Sequence, residues 1–102
     1  MLLKKIVILG RTYCIEYVNN PSEVDIFKRD ALFGQIDYWT RTIRIYKKDR
    51  NDNDVFETLL HEIIEGLKQD LNLKSLKDNH DDLSLLAVGL ADTLIRNKII
   101  SL

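Results

Sequence analysis

Asp54-Val55-Phe56-Glu57-Thr58-Leu59-Leu60-His61-Glu62-Ile63-Ile64-Glu65-Gly66-Leu67 is where the hydrophobic period of this chain changes. Phe56, Leu59, Leu60, Ile63, Ile64, Leu67 and Leu71 recur at intervals of three and four, the stripe of an amphipathic helix. Just upstream, Ile43 and Ile45 alternate with Thr42, Arg44 and Tyr46, the two-residue period of a half-buried strand. The switch near Asp54 therefore predicts an α+β fold. A small antiparallel sheet from the N-terminal half is covered by two antiparallel helices, all within one domain spanning 1–102.

Upstream, residues Leu3 to Leu9 are rich in Leu, Ile and Val and read as a strand. Gly10-Arg11 signals a turn, and Thr12 to Val18 alternates with Tyr13, Ile15 and Tyr17 on one side, so the two runs form a hairpin. Asn19-Asn20-Pro21-Ser22 ends the second strand, because proline lacks a backbone donor. Glu23 to Leu32 has no clear period and reads as irregular. Phe33 to Tyr38 and Thr42 to Tyr46 form a second hairpin around Thr40-Arg41, and Gly34 marks a bulge or a close backbone approach.

Downstream, the first helix is expected over 54–71 with Asp52 or Asn53 as its cap. A polar link follows, and a second helix runs from His80 to Asn97 with Asp78 or Asn79 as cap. Its core face is expected to be Leu83, Leu86, Ala87, Leu90 and Leu94. The two stripes then place Leu60, Ile64 and Leu67 against Leu83, Leu86 and Leu90.

The first helix carries H-E-x-x-E. His61 and Glu65 are four residues apart, so they project from one side about one turn from each other. At that spacing two side chains can hold one metal ion. The better-known H-E-x-x-H has histidine at the second position, where this chain has Glu65, and its first glutamate, here Glu62, is placed as a general base. His61 falls roughly 60° past the Ile64 edge of the apolar stripe, with Glu65 and Glu62 further round. A third ligand must therefore come from another element. The other histidine, His80, begins the second helix and is the candidate.

Composition bounds the rest. With 102 residues, 45% hydrophobic and 30% charged, the chain suits one modest core. The net charge of −1 offers no basic patch for nucleic acid. The first apolar run is too short for a signal peptide, and no segment is long enough to span a bilayer. The single Cys14 reads as a buried small hydrophobe and fits a reducing cytoplasm.

The strand pair Gly34-Gln35-Ile36-Asp37-Tyr38 and Thr42-Ile43-Arg44-Ile45, the helix start Thr58-Leu59-Leu60-His61-Glu62-Ile63, and a second helix closing near Asn97 together resemble a known group. It is the small zincin-type metallopeptidase-like proteins of phages and mobile elements, and the resemblance covers about Phe33 to Asn97. It implies a zinc-dependent hydrolase acting on a protein, with His61, Glu65 and His80 as metal ligands and Glu62 as general base. It also implies a sheet whose edge strand can pair with an extended peptide. Two histidines and one carboxylate match the inventory of many zinc hydrolases.

Each residue also has a plainer reading. His61 fits a hydrogen-bonded, partly buried histidine, Glu62 a solvated face, Glu65 a surface pair with Lys68 or Gln69, and His80 a helix cap. Asp78, Asp81 and Asp82 read as helix-start charges or as orienters of a ligand histidine. Tyr38 and Trp39 read as packing or as the wall of a groove. The competing function is a non-catalytic interaction module of the same fold that binds a host or phage protein.

Overall fold

The computed structural model describes residues 3–26, 32–77, 79–97 and 100. Strands β1 (Lys5–Ile8), β2 (Arg11–Val18), β3 (Gly34–Asp37) and β4 (Thr42–Tyr46) precede helices α1 (Asp52–Leu71), α2 (Lys74–Lys77) and α3 (His80–Arg96). The expected α+β class is what the chain adopts. β1 and β2 join through Leu9 and Gly10, both at positive φ, with Ile8 opposite Arg11. Two left-handed residues in a two-residue loop match the twist of the flanking strands. A 3-10 turn over Pro21–Glu23 follows β2.

The sheet is not wholly antiparallel. Its order is β1-β2-β4-β3, and β2 pairs with β4 in parallel, Ile15 beside Ile43 and Tyr17 beside Ile45. Both hairpins form as expected, but they join through their inner strands. The most apolar strand takes the middle: Ile43 and Ile45 are fully buried. β3 contributes Gly34, Gln35 and Asp37, a poor central strand, and lies at the edge.

The helices do not lie side by side on the sheet. α1 packs on the sheet, and α3 packs on α1. α1 is thus a middle layer, with Val55, Phe56, Leu59, Leu60 and Ile64 all buried. On the sheet side, Gly66 sits against Ile36 and Ile8. α3 meets this layer through Leu83, Ala87 and Ala91, the small alanines allowing close approach. Leu86 and Leu90, expected in that core, are 44% and 39% exposed. A helix with one neighbour buries only one narrow stripe, and the i, i+4, i+8 row took it.

The caps differ slightly from expectation at α1 and match at α3. Asn51, one residue before Asp52, accepts the Asp54 N–H at 2.9 Å. Asn79 accepts the Asp82 N–H at 3.3 Å. Asn72 closes α1 in the left-handed conformation. Cys14 is exposed rather than buried, because it lies on the strand face opposite Tyr13 and Ile15. Among the described residues no helix is long and apolar enough to cross a membrane.

Candidate metal centre

With one side of α1 on the sheet and another on α3, its polar side is left between the β3 edge and α3. A cleft of about 340 Å³ opens there, lined by Phe33 and Gly34 of the β3 edge, His61 and Glu62 of α1, and His80 and Ala87 of α3. The antiparallel return of α3 brings its first residue back to the middle of α1. The His61 and His80 rings lie 5.0 Å apart between centroids. Donor atoms of His61, Glu65 and His80 all fall within 4.8 Å of one another. The three expected ligands therefore converge.

Three donors around one zinc ion at 2.0–2.2 Å stand about 3.4 Å apart in tetrahedral geometry. Here His61 Nε2 and Glu65 Oε1 are 3.9 Å apart. The set is wider than a closed shell by roughly 1 Å, a gap that side-chain torsions can close. Two imidazoles and one carboxylate are an apt donor set for zinc, so the residues fit the ion that the motif implies. His61 is held towards its neutral form, first by burial and next by the neighbouring His80. Neutral imidazole is the form that binds metal.

Glu65 divides its oxygens. Oε2 meets Lys68 Nζ at 2.7 Å, while Oε1 is the atom near His61. The surface pair with Lys68, the plainer reading of Glu65, is thus formed, and it leaves Oε1 on the His61 side. The Tyr38 hydroxyl donates to the Glu65 carbonyl at 3.2 Å, tying the end of β3 to α1. Burial first, then the charge of Glu65, pushes the Tyr38 hydroxyl up to about 12, so it stays a donor at neutral pH.

Glu62 is not one of the three converging residues. It is buried at 8% exposure, where a solvated face would leave it open, and it lines the same cleft. The Ile36 backbone N–H donates to its carboxylate. Burial, with Glu65 second, raises it to about 7, against smaller opposing effects of Ile36 and Lys68. A carboxyl group titrating near neutrality can both take and return a proton. Gly34 makes room for it: a Cβ there would sit 2.8 Å from Thr58 Cγ2 and 3.2 Å from Glu62 Cγ. The glycine flagged by the sequence is a close approach, not a bulge.

Other candidates fall elsewhere. Asp82 takes the Asn79 amide at 2.8 Å rather than orienting a histidine, and Asp78 lies outside the described residues. Trp39 is 95% exposed on the β3–β4 turn and does not line the cleft. Lys68 as a clamp on Glu65 was visible in the sequence only as an i, i+3 pair. Comparison with family models, curated proteins and solved structures finds no match.

Proposed function

We propose that this chain is a zinc-dependent peptidase-like hydrolase, akin to the small zincin-type proteins of phages and mobile elements. The observation that carries the reading is the convergence of His61, Glu65 and His80 beside a buried Glu62 with raised pKa. Zinc, when bound, supplies Lewis acidity to a peptide carbonyl and makes water acidic at its open side. Glu62 takes a proton from the attacking water and returns it to the amide nitrogen as the peptide bond breaks, leaving an acid and an amine. Lys68 keeps Oε2 of Glu65 occupied, so Oε1 is the oxygen free to face the histidines. β3 offers an edge for the substrate backbone. Phe33 carbonyl accepts from Tyr46, so Gly34, the next residue, turns its backbone groups away from β4.

A second reading, a non-catalytic interaction module, is favoured by the leucines left open on α3, with Leu85 at 69% exposure beside Leu86 and Leu90. Calorimetric titration of metal-stripped protein with zinc near neutral pH separates the two. The peptidase reading expects one zinc per chain, lost in His61→Ala. In Glu62→Gln the zinc is kept and hydrolysis of a casein substrate is lost. A wild-type protein that takes no zinc overturns the reading in favour of the interaction module.

A further inference from the structure

The cleft does not stop at the histidines. Glu57 and Val88 border it and also border a second hollow of about 210 Å³, where Asp54 and Asp92 stand. The two hollows adjoin between α1 and α3, with Glu57 and Val88 in the walls of both, and the pair is called the groove. Near the histidines its walls are Phe33, Ala87 and Val88; its far end is acidic. Glu57 precedes His61 by four residues, just over one helical turn or about 6 Å along α1. An extended lysine side chain reaches about 6 Å from its Cα, an apolar stem ending in a cation.

Arg50, Arg96 and Lys68 are engaged elsewhere. Arg50 donates to the Tyr46 carbonyl at 2.7 Å, the Asp54 carbonyl at 3.1 Å and the Thr58 hydroxyl at 2.7 Å. Its guanidinium also lies 4.8 Å from the Phe33 ring centroid. Arg96 is paired with Asp92 at 2.9 Å, and Lys68 with Glu65. Asp54 holds the Asn51 amide at 3.0 Å. The carboxylate of Glu57, a half-buried residue, makes no hydrogen bond or ion pair with any described residue.

We infer that this groove is a subsite for a basic substrate side chain, lysine or arginine, with Glu57 as the residue that sets the preference. The inference rests on the peptidase reading and names its substrate class. The stem of such a side chain lies on Ala87, Val88 and Phe33, and its head meets the Glu57 carboxylate. An acidic side chain meets Glu57 and Asp54 with like charge. An apolar one covers Glu57 without pairing it, which carries a desolvation cost.

The test is binding rather than turnover. Zinc-loaded protein is titrated calorimetrically with acetohydroxamate, which has no side chain, and with peptidyl hydroxamates carrying lysine, norleucine or glutamate. Lysine should bind tighter than norleucine by up to about fivefold, the upper reach of one partly exposed charge pair, and glutamate weaker still. Glu57→Gln should level lysine with norleucine, and Glu57→Lys should reverse lysine and glutamate. Both substitutions keep good helix formers at this position, and circular dichroism checks the fold. If Glu57→Lys does not fold, Glu57→Gln decides alone. A flat ranking in a protein that binds zinc and acetohydroxamate, or an unchanged ranking in the variants, overturns the subsite and leaves the peptidase reading standing. A protein that binds no zinc, or no hydroxamate at all, overturns both.

Discussion

Glu62→Gln in metal-free protein isolates the most unusual group in the molecule. The substitution keeps the shape, and the amide oxygen can still accept the Ile36 N–H. The Glu62 carboxyl titrates at about 7 in the folded chain against an ordinary value of 4.5, chiefly through burial. Between those values the folded protein holds a proton that the unfolded chain has released. Stability therefore falls as pH rises through that window, and below it both states carry the proton. The distance from 4.5 to about 7, at about 1.4 kcal/mol for each pH unit, amounts to about 3 kcal/mol. Urea unfolding of both proteins in chelator, at steps between about pH 4.5 and about pH 8, measures it. The difference between wild type and variant should already be changing at about pH 4.5, where half of the unfolded chains have lost this proton, and should change most steeply between about pH 5 and about pH 6.5. Wild type should then lose about 3 kcal/mol relative to the variant by the alkaline end. His61 titrates in both proteins and largely cancels. A relative change under about 1 kcal/mol across the range would show that burial does not raise the Glu62 carboxyl, and the argument that it titrates near neutrality would fail.

Leu83→Ala should cost about 2–5 kcal/mol in urea or thermal unfolding, because Leu83 is fully buried between α3 and α1. Leu85→Ala, at an exposed site on the same helix, should stay within about 0.5 kcal/mol, and equal losses at both would mean the packed face of α3 is misassigned. Gly34→Ala puts a methyl 2.8 Å from Thr58 Cγ2 and should destabilise by about 1–3 kcal/mol, with β3 pushed off α1; an unchanged unfolding midpoint would refute the close approach.

Much of this structure was readable residue by residue. Leu3 to Leu9 contains β1, Thr12 to Val18 is β2 without its first residue Arg11, Thr42 to Tyr46 is β4, and both long helices fall within two residues of their expected starts. These limits follow from local chemistry: period, turn residues and side chains that cap. Placing His61 and Glu65 on one side of α1 needed only the helical repeat.

Which neighbour covers each face was a tertiary matter. A period says which residues share a side, not what lies across from them. The parallel pairing of β2 with β4 puts the strands that carry Ile15, Ile43 and Ile45 in the middle of the sheet, where they bury more apolar surface than at an edge. The exposure of Leu86 and Leu90 followed from α3 having α1 as its one broad contact. Glu62 looked like part of a solvated face. It became a buried carboxyl because the glycine at 34 let the sheet edge close over it. His80 was one histidine far along the chain until α3 folded back on α1. Only that return, driven by burial of Leu83, Ala87 and Ala91, set its ring 5.0 Å from His61 and added a third side chain to the pair of His61 and Glu65.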